Sequence, residues 1–227
     1  MPATVKIGAF LACAMPIRAR SRPQSPESTL LFPFHGPTIG AHHTMRSSKV
    51  WVWTVAIAMA LVAAAACFGP QTSNDYYDRG MARFKEDKYK GAVADFDEAI
   101  GIRPKYTAAY VGRGNAKIGL GQYEEAIDDF DQALQLRPDD PNVYYNRGFA
   151  KFMLGRYQGA IVDFDQVIRL RPRYAYAFYI RGEAKSNIGL YEEAIADWQA
   201  SLELAIETDN RDLISNIEQR IQEFERK

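Results

Sequence analysis

The side chains of this 227-residue chain that are equipped for chemistry are carboxylates set at fixed intervals beside aromatic rings. Asp95 and Asp97 flank Phe96, Asp129 and Asp131 flank Phe130, and Asp163 and Asp165 flank Phe164; Trp198 has Asp197 before it and Gln199 after it. Arg79, Arg113, Arg147 and Arg181 keep step with them, as do Arg83, Lys117, Lys151 and Lys185. Paired carboxylates can serve acid–base catalysis or hold a hard cation. A catalytic site, however, is made once, and this pattern recurs along the chain. It reads instead as ion pairing between helices, such as Arg113 with Asp129, with the remaining charges on a solvated outer face.

The other reactive residue types lie elsewhere. The cysteines are Cys13 and Cys67 and the histidines His35, His42 and His43, so nothing after residue 67 offers a thiol or an imidazole. The commonest general base, the cysteine nucleophile and the soft metal ligands are thereby removed from two thirds of the chain. The formal net charge is zero, yet residues 1–70 carry one acid, Glu27, against six bases. The remainder has 27 acids and 22 bases. Phosphate contacts need clustered Lys and Arg, so nucleic acid is not an expected partner.

The elements that position these residues are legible from a period. Gly80, Gly114, Gly148 and Gly182 stand 34 apart, and so do Tyr89, Tyr123, Tyr157 and Tyr191, and Pro104, Pro138 and Pro172. A 34-residue period with two helical halves is the signature of stacked helix-turn-helix units. The first helix of unit one is expected from Tyr76 to about Glu86. Turns follow at Asp87-Lys88, Gly121-Gln122, Gly155-Arg156 and Gly189-Leu190, where glycine suits a left-handed residue. Proline after each second helix stops it. Small Gly80 and Ala92 let the two helices cross closely, and Phe96 fills the gap toward the next unit.

The residues in register resemble the tetratricopeptide repeat. Unit one carries Tyr76, Gly80, Ala92, Phe96, Ala99 and Pro104, and unit two Tyr110, Gly114, Ala126, Phe130, Ala133 and Pro138. Unit three carries Tyr144, Gly148, Ala160, Phe164, Val167 and Pro172; unit four has Phe178, Gly182, Ala194, Trp198 and Ser201, with Ile206 in place of proline. The resemblance implies an all-α fold, a right-handed α-solenoid of four units plus a C-terminal capping helix. The chain departs from the family pattern at the four arginines, which stand where leucine usually precedes the glycine. Arg83, Lys117, Lys151 and Lys185 stand where tyrosine is usual.

The expected organisation is a leader (1–44), a signal peptide or membrane anchor (45–66), a linker (67–72), four repeats (73–106, 107–140, 141–174, 175–208) and a cap (209–227). The leader lacks periodicity and cannot bury a core; it reads either as a transit peptide or as an over-long start, with translation beginning at Met45. Arg46 and Lys49 precede an apolar run over residues 50–66, broken only by Thr54. This is the order of a secretory signal. Ala64-Ala65-Ala66 fits ordinary signal cleavage, while Ala64-Ala65-Ala66-Cys67 resembles a bacterial lipobox and makes Cys67 the lipidation candidate. An uncleaved anchor is the third reading. In the cap, Leu213, Ile217, Ile221 and Phe224 form an apolar stripe that closes the open end.

By the same resemblance the first helices line a concave groove. The peptide-binding candidates are Tyr77, Met81, Val111, Asn115, Tyr145, Asn146, Phe149, Tyr176 and Tyr179, with Glu183 at the same register in unit four. Rings supply contact area and amides fix polar groups; the other reading of each ring is packing between units. A carboxylate clamp for chaperone C-termini would match Asn115 and Asn146 but needs bases where this chain has Val111, Tyr176 and Ile180. Clamp function is therefore rejected. The implied function is a non-enzymatic protein–protein interaction scaffold or adaptor of a bacterial cell envelope, lipid-anchored or secreted in the periplasm, or else single-pass anchored. Its partner is a protein or peptide, no cofactor or metal is called for, and the N-terminal signal or lipid contacts the membrane. The alternatives are a structural array that self-associates as a homo-oligomer and a soluble intracellular co-chaperone-like adaptor.

Overall fold

The computed structural model of this chain describes Met59 and residues 72–225; the expectations for the leader, for the apolar run around Met59 and for Cys67 lie outside those residues. Among the described residues the elements are helices: α1 (Ser73–Lys85), α2 (Tyr89–Ile102), α3 (Thr107–Gly119), α4 (Tyr123–Leu136), α5 (Pro141–Met153), α6 (Tyr157–Leu170), α7 (Ala175–Asn187), α8 (Tyr191–Glu207) and α9 (Arg211–Glu225). They pack as successive hairpins, α1 with α2 through α7 with α8, and each hairpin stacks on the next. The result is an all-α solenoid. None of the described helices is long and apolar enough to cross a membrane.

Helix α1 starts three residues before Tyr76 because of a local signal. The Asp75 amide donates to Thr72 Oγ1 at 3.1 Å and the Thr72 amide donates to the Asp75 carboxylate at 3.0 Å. This reciprocal pair satisfies two donors that a helix start leaves open. The turn inside each hairpin passes through a left-handed residue: Asp87 (φ 57°), Gly121 (76°), Gly155 (72°) and Gly189 (83°). Asp87 takes that conformation with a side chain attached, and the Tyr89 hydroxyl donates to its Oδ1 at 2.6 Å.

The core is a column of rings. Phe96, Phe130, Phe164 and Trp198 are all fully buried. A Cβ on Gly80 would stand 2.8 Å from Phe96, and a Cβ on Gly112, in the next hairpin, 2.7 Å from the same ring. Phe96 is therefore clasped by its own hairpin and by the first helix of the next. At the far end Leu213 and Ile217 of α9 are buried against Ala194, Trp198 and Ala205, with Ile221 and Phe224 packed beside them.

First helices touch first helices across hairpins, α1 with α3, α3 with α5 and α5 with α7, and no comparable contact joins the second helices. The first helices therefore form the inner, crowded layer and the second helices the splayed outer one. Two substitutions test this packing. Phe130→Ala should lower stability by roughly 3–5 kcal/mol, and Gly114→Ala, whose Cβ would sit 2.7 Å from Phe130, by roughly 1–3 kcal/mol. Both are read by denaturant melting of the full chain; an unchanged midpoint for Phe130→Ala contradicts the column of rings.

Candidate functional site: the inner layer and its ion-pair edge

The aspartate before each core aromatic is drawn inside by the ring it adjoins. Asp95, Asp129, Asp163 and Asp197 are at most 5 % exposed. A buried carboxylate must be paired, and each one meets two cations from its own hairpin. Arg113 Nε donates to Asp129 at 3.0 Å, Arg147 Nε to Asp163 at 3.0 Å and Arg181 Nε to Asp197 at 2.8 Å. Lys117, Lys151 and Lys185 each place Nζ 2.8 Å from Oδ2 of the same carboxylate, whose Oδ1 accepts from the arginine's Nη2. In the first hairpin Arg79 and Arg83 do this work for Asp95.

The aspartates after the rings keep about half of their side chains in solvent, in line with the expected solvated face, and also join one hairpin to the next. Arg113 Nη1 donates to Asp97, Arg147 Nη1 to Asp131 and Arg181 Nη1 to Asp165, each at 2.6 Å. Burial opposes the charge on Arg113, Arg147 and Arg181, yet the hydrogen bonds and attraction of the two aspartates around each raise the guanidinium pKa above its ordinary value. The same groups lie over the rings of Tyr110, Tyr144 and Phe178 at 5.4 Å. This edge is a continuous ladder in which every carboxylate meets at least one cation. Among the described residues no group of three His, Cys, Asp or Glu side chains is placed to hold a metal.

The inner layer holds the groove candidates, in three settings. Tyr145 is 7 % exposed, edge-on to Phe164 at 5.8 Å and to Tyr174 at 5.4 Å. Tyr77, half-buried, packs with tilted rings against Phe96 at 5.8 Å and Tyr106 at 5.2 Å. These two rings are part of the packing. Tyr179 and Glu183 meet the cap: Arg220 Nε donates to Glu183 Oε1 at 2.8 Å. Burial pushes the Tyr179 phenol up to about 12, with the Glu183 charge in the same direction and Arg220 opposing. Half-buried Tyr176 receives a hydrogen bond from Asn210 at 3.3 Å. Met81, Val111, Asn115 and Phe149 are half-buried on the inner helices.

Asn115 and Asn146 meet across α3 and α5, Asn146 Nδ2 donating to Asn115 Oδ1 at 2.8 Å. The sequence placed both on the inner face; their mutual bond depends on the stagger of neighbouring helices, which the repeat period does not encode. The role of Arg220 was likewise hidden, because α9 leaves the 34-residue register.

Three family models match the chain: one described as TPR repeat over residues 114–155, and two described as tetratricopeptide repeat over residues 141–174 and 76–106. No curated protein sequence matches it. Among solved structures it is similar to MamA 41-end from Desulfovibrio magneticus RS-1, with a TM-score of 0.58 and 20% identity over 70% of this chain and 98% of that one. It is also similar to the first TPR of Spaghetti (RPAP3) bound to the HSP90 peptide SRMEEVD, with a TM-score of 0.51 and 23% identity over 52% of this chain and 94% of that one. The Arabidopsis OM64 TPR domain matches with a TM-score of 0.50 and 25% identity over 51% of this chain and 95% of that one.

The two aspartates of one rung should differ sharply on removal. Asp163→Ala strands Arg147 and Lys151 beside a buried void and should cost about 3–5 kcal/mol; Asp165→Ala, on the solvent side, should cost about 1 kcal/mol or less. Equal costs in urea titrations contradict the ladder. Tyr179 predicts an alkaline effect. Its folded pKa of about 12 exceeds the unfolded value of about 10, so its contribution is intact below pH 10 and is lost as pH climbs to 12. Tyr179→Phe should flatten the fall in melting temperature over that window, and an unaltered slope counts against the assignment.

Proposed function

Because this chain belongs to the tetratricopeptide repeat family, we propose that it is a non-enzymatic adaptor of a bacterial cell envelope that docks a peptide segment of another protein on its inner helical layer. The observation that carries this reading is the inner surface itself. Met81, Val111, Phe149 and Tyr176 leave part of their apolar surface uncovered on helices whose other sides are packed. Concave apolar surface bearing a few placed polar groups is the usual form of a binding site. A structural relative crystallised or solved with a peptide, the RPAP3 domain with SRMEEVD, supports a peptide as the occupant. The clamp chemistry rejected from the sequence stays rejected for this chain, since Val111, Tyr176 and Ile180 occupy the positions its bases would need.

The envelope location rests on the order of residues 45–67: two bases, an apolar run, small residues and Cys67. Lipid on Cys67 tethers the array, and cleavage without lipid secretes it. Labelled palmitate should enter the wild-type chain and be lost from Cys67→Ser; label retained in that variant removes Cys67 from the account. Docking is tested by photo-cross-linking in cells. Benzoylphenylalanine in place of Phe149 should capture one discrete partner band, and the same group in place of Val162, 58 % exposed on the outer layer, should not. Capture from Val162 alone would overturn the inner-layer assignment. Light scattering should give a monomer for the chain without its partner; a stable oligomer would instead favour the self-associating array.

A further inference from the structure

We infer that the loops joining successive hairpins rest on the surface of an anionic phospholipid bilayer, so that the hairpins stand on the membrane with their turns pointing away from it. The inference goes beyond the envelope reading above and takes from it only the tether at Cys67.

The loops between hairpins share one end of the array with the start of α1. Ser73 Oγ donates to the Ala99 carbonyl at 3.0 Å, which sets the first turn of α1 beside the last turn of α2. Arg171 Nη1, in the loop before α7, donates to Asn142 Oδ1 in the first turn of α5 at 2.8 Å. Asn210, in the loop after α8, donates to the Tyr176 hydroxyl in the first turn of α7 at 3.3 Å. The left-handed turns inside the hairpins lie at the opposite ends of the same helices.

Charge separates the two ends. Arg103, Lys105, Arg137 and Arg171 are exposed in the loops, and none is in an ion pair among the described residues. Arg103 lies over the Tyr106 ring and Arg171 meets a neutral amide, so both keep their charge. Of the acids at this end, Asp75 and Asp140 accept amide hydrogens in helix caps. Glu207 and Asp209 are paired with Arg173 and Arg211, which leaves Asp139. At the turn end the balance is reversed: Asp87, Glu125, Glu192 and Glu193 stand outside ion pairs, against Lys85 and Lys90. Exposed apolar side chains occur at both ends, Ile102, Leu136 and Ile206 at the loops and Met153, Leu190 and Tyr191 at the turns. Only at the loops do they stand among free cations, the combination that an anionic headgroup layer attracts and lets in.

The tether selects the same end. Cys67 lies five residues before Thr72, the cap of α1. Five residues cover at most about 18 Å. Lipid on Cys67 therefore keeps the loops near the bilayer, and attraction to lipid phosphate acts within a Debye length of about 10 Å.

The experiment uses the full chain with Cys13→Ser and Cys67→Ser and one introduced cysteine carrying the fluorophore NBD. Vesicles are of phosphatidylglycerol or of phosphatidylcholine, each with a nitroxide-bearing lipid as quencher. On phosphatidylglycerol the label at Ile102→Cys should lose about half its emission or more. It should stay bright on phosphatidylcholine, and on phosphatidylglycerol in about 0.5 M NaCl. The label at Gln122→Cys, in the turn after α3, should stay bright throughout. Arg103→Gln, Lys105→Gln and Arg137→Gln together should raise the lipid needed for half-maximal quenching about tenfold or more, with an unchanged melting temperature. An Ile102 label that stays bright on phosphatidylglycerol would overturn the inference and leave an acidic protein surface as what the cations meet. Quenching at Gln122 equal to that at Ile102, or quenching indifferent to lipid charge, would overturn it as well. This chain carries no lipid at residue 67, so the result is independent of the palmitate test. Quenching at Ile102 without palmitate on the wild type sinks the tether alone, and palmitate with a bright Ile102 label sinks the loop contact alone.

Discussion

A carboxylate that adjoins a buried ring has to be buried with it, and the whole array is built around answering that demand. Phe130 must enter the gap between hairpins, and Asp129, one residue earlier, goes in beside it at 2 % exposure. The charge is tolerated because Arg113 and Lys117, on the partner helix, both reach it. Removing water from such a group is expensive and the pairing must be near complete to offset it. The same arginine then reaches Asp97 of the preceding hairpin, so one guanidinium reports on the placement of two carboxylates. Its planar fork suits that task in a way a lysine ammonium does not. Hairpin spacing along the array is thus set by ring size on the inside and by guanidinium geometry at the edge.

The ladder also explains where its pattern stops. Gln199 replaces the outer aspartate in the fourth hairpin, and Ser215 stands 34 residues after Arg181, so no fifth arginine exists to receive a carboxylate there. At that end α9 substitutes apolar contact with Trp198 and the Arg220–Glu183 pair for another rung. Trp198 carries an indole N–H that is buried without an acceptor, which the phenylalanines of the other hairpins do not. At the other end Arg79 pairs with Asp95 but meets no preceding aspartate among the described residues, and its side chain is 39 % exposed against 16–19 % for the other three. A repeated unit is electrostatically complete only with neighbours on both sides.

Much of this was readable from the period. The hairpins, the left-handed turn residues, the buried aromatic column, the cap stripe and the Arg113–Asp129 type of rung all follow from which residues recur. The period reports register within a unit and is silent about contacts between units. That is why the bonds of Asp97, Asp131 and Asp165 to the next hairpin's arginine went unread, and why Tyr145 read as equivalent to Phe149. Both lie on the inner helix α5, but Tyr174, a loop residue 29 positions later, folds against Tyr145 and leaves Phe149 as the more exposed ring. Glu183 read as a groove residue for the same reason; the arginine that answers it belongs to a helix outside the repeat.

The central claim is that a rigid, ion-paired edge presents an inner surface to another protein. Hydroxyl-radical footprinting of the full chain with and without its cross-linked partner measures that most directly, side chain by side chain. Oxidation of Met81, Phe149 and Tyr176 should slow in the complex while Val162 and Tyr191, exposed outside the inner layer, react as before. Protection of Val162 and Tyr191 with Met81 and Phe149 unchanged would contradict the account.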